Sequence, residues 1–467
     1  MASRRDQLQG YRFLAARNAS ALLHADTDSA QGPLRRLSGS TLASVVVAVV
    51  AAVAALLFGL VRPGGGAWQD GKSLIVATGS GSRYVYLNGV LHPVLNYASA
   101  LLILREGALA PVTVSSGALN QVPHGAAVGI LNAPDEVPAA GSLLTGPWVV
   151  CSAPGSDAAG APRPLVTVSV GQAAAGSVLA PGTAVLVTAD GAEYLVWNGT
   201  RLRLTNDIAT ALGYSSATPV PVGPGFANAL PQGPDLAAPE PPGRIGAPGP
   251  DVGGIRTLVG QVYQAGGSYY AVYPDGLAPV TVLQERLMIA DPVTAQAYAG
   301  PVRALPLTLA QATQAPRSSH NPARTPGLPA TAVPLASGQA DSTGLCATLT
   351  SATADKVTVT TESASPQNAS DAEPADQLGN PVADSVHLPM GRGALIEAVP
   401  SPGAAAGTEY LVTDTGQKFP LASESVLSDL GLSAVHPVQV PQNIAALLPA
   451  GPTLDEGAAT QLAVAAP

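Results

Sequence analysis

Aromatic side chains are scarce in this sequence, at 4% of 467 residues. Cysteine occurs twice, at Cys151 and Cys346. Two thiols so far apart do not make a cysteine-based metal site. The six histidines, His24, His92, His124, His320, His387 and His436, never stand in metal-ligand spacing with another His, Cys or acid. His92 falls in an apolar strand and reads as a structural histidine. No G-x-S-x-G nucleophile elbow occurs. Acid pairs such as Asp135-Glu136 sit beside Pro and Gly, as solvated turns do, and not as acid–base pairs. Lysine is absent before residue 61. The sequence therefore asks for no metal, and these patterns ask for no catalysis. Gly (50) and Pro (44) are abundant instead. So many breakers disfavour long helices and favour short strands and turns.

One stretch departs from that composition. Leu37 to Val61 carries no charge, and from Leu42 onward it is Ala, Val, Leu and Phe apart from Ser44 and Gly59. About 20 apolar residues at ~1.5 Å rise cover the ~30 Å hydrocarbon layer. A backbone in lipid must satisfy its own hydrogen bonds, so the stretch is predicted to be a transmembrane helix. The alternatives are a buried helix in a soluble core and a cleaved secretory signal. Small-residue sites such as Ala52-Val53-Ala54 keep the second open, although the segment before the run is too long for a signal's n-region. Arg4, Arg5, Arg12, Arg17, Arg35 and Arg36 precede the run, and only Arg62 and Lys72 follow closely. The basic side stays in the cytoplasm. The chain is thus expected to be a single-pass protein of the cell membrane, its N-terminus cytoplasmic and its bulk extracytoplasmic.

The formal net charge is −9, unevenly spread. The first 36 residues hold six Arg against Asp6, Asp26 and Asp28, a net +3, which leaves −12 for the rest. An acidic exterior excludes nucleic acid as the expected partner, because phosphate contacts need Lys and Arg. The basic tail suits an anionic inner leaflet. Tyr11, Leu14, Leu22 and Leu23, interleaved with Arg12 and Arg17, predict a short amphipathic helix for a membrane surface or a cytoplasmic partner. Beyond the membrane the compartment is oxidising, so a Cys151–Cys346 disulfide is expected; two separate buried thiols are the alternative.

After a Gly64-Gly65-Gly66 hinge, Gly66 to Ser73 (with Gly71 and Lys72) matches G-x-x-x-x-G-K-[ST]. That pattern spells a phosphate loop only between a buried strand and a helix whose first N–H groups meet the phosphates. Here a hinge precedes and Ser73 to Thr78 reads as a strand, with no Walker B aspartate nearby. The motif is read as a decoy, and no cofactor is expected. ATP enters only under an alternative reading.

The chain repeats itself. Arg83 to Val94 alternates around Asn88-Gly89, a strong hairpin signal, and Asn96 to Leu104 reads as a helix packed on it. Glu193–Leu202, Tyr269–Val280 and Glu409–Pro420 repeat the hairpin. Copies two and four match further, Leu212-Gly213-Tyr214 answering Leu430-Gly431-Leu432 and Leu230-Pro231-Gln232-Gly233 answering Leu448-Pro449-Ala450-Gly451. Copies one and three are followed by other sequence. A hairpin with one helix buries little alone, so the copies must pack on one another or on intervening strands. Candidate central strands are 111–115, 148–151, 165–170 and 357–360. The predicted organisation is a basic tail (1–36), a transmembrane helix (37–62), repeat one (63–110) and a first central part (111–185). Repeat two (186–240), repeat three (255–300) and a linker (301–344) follow. A last central part with an acidic loop (345–392), repeat four (393–455) and a frayed tail (456–467) complete it. The fold class is α+β: one membrane helix, then an elongated ectodomain of four hairpin-plus-helix repeats around a β-rich centre.

Four features together resemble a known family: the opening MASRRDQLQGYRFL, the run Pro33-Leu34-Arg35-Arg36-Leu37, the single span, and the hairpin that continues as Leu91-His92-Pro93-Val94-Leu95-Asn96-Tyr97-Ala98-Ser99-Ala100. They are similar to EccB, a core membrane subunit of the actinobacterial type VII (ESX) secretion system. The likeness continues through Gly129-Ile130, Ala133-Pro134-Asp135, Trp148 to Cys151 and the closing Leu447-Leu448-Pro449 and Leu454-Asp455. The resemblance implies a homo-oligomeric structural subunit working with the ATPase EccC, with EccD, EccE and a mycosin protease, and exporting WXG100-type proteins. Family members are often labelled ATPases, which makes an ATP-hydrolysing subunit the first alternative. A cell-wall (peptidoglycan) binding module is the second, since small hairpin repeats can bind glycans.

Overall fold

The computed structural model describes residues 3–24, 34–61, 67–157, 159–336, 343–349, 357–363, 367–368, 382–400, 404 and 407–462. It falls into two compact units, Met1–Asp70 and Gly71–Pro467.

The first unit is helical. Helix α1 (Arg4–His24) carries Asp6 in its first turn, where a negative charge complements the helix dipole. Leu8, Tyr11, Phe13, Leu14 and Leu22 are all exposed on it. Helix α2 (Leu34–Val61) is 28 residues long, and its side chains are described over 41–54. All of those are exposed, among them Leu42, Val45, Val46, Val47, Val49, Val50 and Val53. Among the described residues no helix is long and apolar enough to cross a membrane.

The second unit opens with β1 (Ile75–Ala77), β2 (Arg83–Leu87) and β3 (Val90–Pro93), helix α3 (Tyr97–Leu104) and β4 (Val112–Val114). Strands β1 to β3 form an antiparallel meander, and the chain crosses over through α3 to lay β4 parallel to β1. The β2–β3 turn is Asn88-Gly89, with φ of 49° and 84°, the left-handed pair that a two-residue hairpin turn requires. Asn96 caps α3 by accepting from the Ser99 N–H at 3.0 Å. Strand β4 was expected in the central sheet; it pairs instead with β1, because the short α3 crossover returns the chain beside its own first strand.

After the short α4 (Ser116–Leu119) come β5 (Trp148–Ser156), β6 (Pro162–Val170) and β7 (Ser177–Val178). The next copy holds β8 (Ala184–Ala189), β9 (Ala192–Trp197), β10 (Thr200–Leu204), α5 (Asn206–Ala211), β11 (Val220–Pro221) and α6 (Pro224–Ala229). A ribbon of β12 (Pro248–Val252) and β13 (Ile255–Leu258) leads to β14 (Val262–Ala265), β15 (Ser268–Tyr273), β16 (Gly276–Val280), α7 (Val282–Ala290), β17 (Leu305–Pro306) and α8 (Leu309–Gln314). Then follow β18 (Thr343–Leu349), β19 (Val357–Ser363), β20 (Gln367–Asn368) and β21 (Ser385–His387). The last copy is β22 (Ala394–Val399), β23 (Thr408–Val412), β24 (Lys418–Pro420), α9 (Glu424–Asp429), β25 (Val438–Pro441) and α10 (Gln442–Ala445), and α11 (Glu456–Ala459) ends the described chain.

Four sheets share one strand order: β3-β2-β1-β4, β10-β9-β8-β11, β16-β15-β14-β17 and β24-β23-β22-β25. In each, the outer strand of the meander is closed by a proline-led strap. Leu91 donates to the Pro123 carbonyl and accepts from the Gly125 N–H. Arg201 does the same with Pro231 and Gly233, Leu277 with Pro316 and Ser318, and Lys418 with Pro449 and Gly451. A proline offers a carbonyl but no donor, so the strap pairs with an edge without extending it. Sequence alone shows the strap in copies two and four; the fold supplies it in copies one and three as well.

The four sheets meet in pairs. Ala98, Leu101 and Leu102 of α3 share one core with Val426 and Leu427 of α9, Leu430, Leu432 and Ala459 of α11. Leu186, Leu195 and Leu202 share another with Leu283 and Leu287 of α7. The second and fourth copies both pack on a central sheet of order β21-β6-β5-β18-β19-β7, through Val185, Phe226, Ile396 and Ile444 against Val150, Val168 and Ala347.

Two segments depart from expectation. The 301–344 stretch, expected as an extended linker, holds β17 and α8 in its first part, and its later described part is bound at several points. Its carbonyls accept from Leu277, Leu283 and Ala184, and the Val333 carbonyl accepts from the Tyr214 hydroxyl at 2.7 Å. A proline-rich segment keeps its acceptors, and neighbouring edges supply the donors. The tail expected to fray after Leu454 forms α11 instead, capped by Asp455, with Ala459 fully buried. Part of the predicted acidic loop, 369–381, lies outside the described residues.

Candidate functional site

The described part of the phosphate-loop-like stretch does not lead into a helix. Gly66 lies outside the described residues. Gly71 is in the left-handed region at φ 70°, and Lys72 and Ser73 follow in bends. The next element is strand β1, not a helix, so no helix N-terminus stands where phosphates would bind. The division between the two compact units falls within the motif, after Asp70. Among the described residues, no group of three or more His, Cys, Asp or Glu could hold a metal ion. Two of the histidines bond to backbone: His92 Nδ1 lies 2.9 Å from the Ala126 carbonyl oxygen and His124 Nε2 3.1 Å from that of Leu119. Asp135, read as a solvated turn residue, is paired with Arg83 at 2.5 Å and accepts from the Tyr97 N–H.

Cys151 and Cys346 form a disulfide. They face one another across neighbouring antiparallel strands β5 and β18, in direct register. The bond therefore joins two strands that are 195 residues apart in the chain, at the middle of the central sheet.

Several positions that sequence reasoning passed over hold the unit together. Arg163 on β6 pairs with Asp384, which is 4% exposed and also accepts from the Val166 N–H at 2.7 Å. The hydrogen bond to Asp384 raises the Arg163 pKa. Asp275, in the third hairpin turn, accepts from the Ser318 hydroxyl at 2.7 Å and from the Ser319 N–H and hydroxyl at 2.8 Å each. Those donors pull its carboxyl down to about 2. Burial pushes the neighbouring Tyr273 phenol up to about 12.

The second and fourth copies share a further device. Arg201 lies over the Tyr194 ring at 5.4 Å, and Lys418 over the Tyr410 ring at 5.5 Å. Each cation then reaches helix residues beside it: Arg201 donates to Asn228 of α6 and Lys418 to the Ala445 carbonyl at the end of α10. Burial lowers the Arg201 pKa. Asn443 of α10 donates to the Asn228 carbonyl, joining the two copies. Copies one and three carry Leu91 and Leu277 at the same strap position. The signal was present in the aligned hairpins, as Thr200-Arg201-Leu202 against Gln417-Lys418-Phe419.

What this arrangement defines is a class: a repeat-built, disulfide-stapled β-rich scaffold preceded by two helices. Comparison with known proteins gives it a family. A family model described as "Type VII secretion system ESX-1, transport TM domain B" matches residues 1–465. The ESX-3 secretion system ATPase EccB3 of Mycolicibacterium smegmatis is 32% identical over 485 residues, covering 97% of this chain and 89% of that protein. The protein of the same name from Mycobacterium tuberculosis is 32% identical over 303 residues; that alignment covers 59% of this chain and about half (54%) of the relative's length. Among solved structures, a chain of an intact ESX-5 inner membrane complex matches with a TM-score of 0.65 at 25% identity, covering 100% of this chain and 96% of that one. The EccB3 dimer from the ESX-3 core complex matches with a TM-score of 0.62 at 26% identity, over 83% of this chain and 100% of that one. The chain belongs to the EccB family of type VII secretion proteins.

Proposed function

We propose that this protein is a structural assembly subunit of a type VII (ESX) secretion machine. In this reading α2 anchors it in the membrane, α1 lies in the cytoplasm, and the second unit joins an oligomeric assembly on the far side. Work of this kind is scaffolding: the protein holds partners in register and performs no bond-breaking step. The observation that carries the reading is the likeness over 100% of the chain to a component of an ESX-5 inner membrane complex. Exposed apolar side chains along α2 support the anchor, and its 28 residues at ~1.5 Å each exceed a ~30 Å hydrocarbon layer. Its partners are an EccC-like ATPase, EccD, EccE and a mycosin protease, with WXG100-type cargo passing through the complex. Deleting residues 1–36 is expected to dissolve the complex on native gels while the second unit stays folded. An intact complex after that deletion would overturn the reading.

A second reading, ATP hydrolysis, is favoured by the printed names of the relatives. It requires turnover by the purified full chain that is lost on Lys72→Ala. Turnover at background level, unchanged by the substitution, excludes it.

A further inference from the structure

The first and second hairpins turn on the same residue pair, Asn88-Gly89 and Asn198-Gly199, and on the same backbone. Their φ values are 49° and 84° in one and 48° and 75° in the other, the left-handed pair of a two-residue turn. The surroundings differ. Asn88 and Gly89 are both exposed, and a Cβ built on Gly89 would meet nothing within 4 Å. Asn198 is exposed, but Gly199 is buried, and a Cβ there would overlap the carbonyl oxygen of Val357 at the start of β19. The first turn stands in solvent, and the second is pinned by the central sheet.

An asparagine side chain loses its amide by ring closure. The backbone nitrogen of the next residue, deprotonated by hydroxide, attacks the side-chain carbonyl carbon Cγ. The N–Cγ bond forms, the Cγ–Nδ2 bond breaks, and ammonia leaves with a proton taken from water. Water then opens the succinimide ring at either carbonyl and leaves aspartate or isoaspartate. No oxidant or reductant takes part. Ring closure needs the backbone nitrogen to swing toward the preceding side chain, and a following glycine, with no Cβ, resists this least.

We propose that Asn88 is a site of spontaneous deamidation and isoaspartate formation in the folded protein, and that β19 protects Asn198 from the same reaction. The peptide plane between Asn88 and Gly89 must rotate out of the turn for the ring to close, and nothing packs against Gly89 to oppose it. At Gly199 the same rotation drives main-chain atoms against Val357. The turns of the third and fourth copies carry Asp275 and Asp414, which have no amide to lose.

The modification reaches the strap. Isoaspartate routes the chain through the side-chain carboxyl and adds a backbone carbon to a two-residue loop. The length of that loop sets the register that pairs Leu87 with Val90 and Tyr86 with Leu91. Leu91 is fully buried and holds the strap through Pro123 and Gly125. The isoaspartyl form therefore has a looser strap in the first copy, and the central sheet stays in place.

The test keeps the full-length protein folded in detergent at mildly alkaline pH in oxygen-18 water, followed by digestion and mass spectrometry of both turns. The Asn88 peptide is expected to take up one oxygen-18 and to split into aspartyl and isoaspartyl forms severalfold faster than the Asn198 peptide. In denaturant the two rates are expected to converge, because packing no longer separates the turns. Equal rates in the folded protein overturn the proposal, as does a folded-state difference that persists undiminished in denaturant. So does an Asn88 peptide that stays unlabelled in the folded protein. Hydrogen exchange at the Leu91 and Gly125 amides of the isoaspartyl form is expected to be severalfold faster than in fresh protein; equal protection overturns the link to the strap.

Discussion

Gly451 lies against Phe419 so closely that a Cβ there would overlap ring carbons Cε1 and Cδ1. Phe419 is 1% exposed and has no room to retreat. The same relation recurs between Gly233 and Leu202 and between Gly125 and the His92 ring. Where the third strap carries Ser318 instead of glycine, the residue after the strap partner Leu277 is Ala278. A side chain on the strap thus goes with a small residue on the edge, and a large edge residue goes with glycine. Gly451→Ala is expected to destabilise by about 1–3 kcal/mol, as overpacking of a filled core does. Gly125→Ala is expected to cost less, because the half-buried His92 ring can turn outward. Thermal unfolding of the two variants checks the order.

Asp275 gives a pH dependence of known sign. Its folded pKa is about 2 against an ordinary 3.8. A depressed acid stabilises fully above its unfolded pKa, and that contribution is lost as pH falls through the folded one. The strap at 316–319 is therefore expected to lose amide protection between about pH 4 and pH 2, ahead of the other three straps. Asp275→Asn should show the looser strap already at neutral pH. Exchange at the Ser319 amide, which donates to this carboxylate, is the direct readout.

Much of this was legible because it is local. The Asn88-Gly89 and Asn198-Gly199 turns each need two left-handed residues in succession, and few residue pairs supply them cheaply. The helix after the first hairpin announces itself through Asn96 and the apolar run to Leu104. Less legible was whatever depends on distant partners. Pro123-His124-Gly125 and Pro316-Arg317-Ser318 are straps only because Leu91 and Leu277 wait at an edge, and no local pattern says so. Strand β4 reads as a central strand by composition; its pairing with β1 is set by the length of the crossover. The pairing of Asp384 with Arg163 spans 221 residues and leaves no short-range trace.

Removing the Cys151–Cys346 bond tests how far the central sheet depends on it. The crosslink spans 195 residues, so it restricts the unfolded chain strongly. Loss of a native disulfide is expected to cost about 2–5 kcal/mol. The two cysteines are nevertheless in register within five paired positions of β5 and β18. Cys151→Ser/Cys346→Ser is therefore expected to melt earlier while keeping its β-sheet circular dichroism at low temperature. The melting point of the double variant, beside that of the wild type with and without a dithiol reductant, checks it.

Asp384 is the anchor on which β21 returns to the central sheet. One carboxylate oxygen accepts from the Val166 N–H on β6 and the other pairs with Arg163, while Ser385 beside it bonds Thr167 at 3.1 Å. Removing one member of a fully buried ion pair costs about 3–5 kcal/mol. Here the Arg163 side chain keeps 31% exposure, so water takes over part of its charge. Asp384→Ala is thus expected to cost about 2–3 kcal/mol. Asp384→Asn should cost less, since an amide oxygen can still accept from Val166. Arg163→Met leaves the Val166 bond to Asp384 intact but strands a carboxylate that is 4% exposed without the Arg163 charge, so it should cost more than Asp384→Asn. In denaturant unfolding the expected order, Asp384→Ala first, then Arg163→Met, then Asp384→Asn, identifies the backbone bond as the dominant tie. If Arg163→Met proves the most damaging of the three, the ion pair is the tie instead.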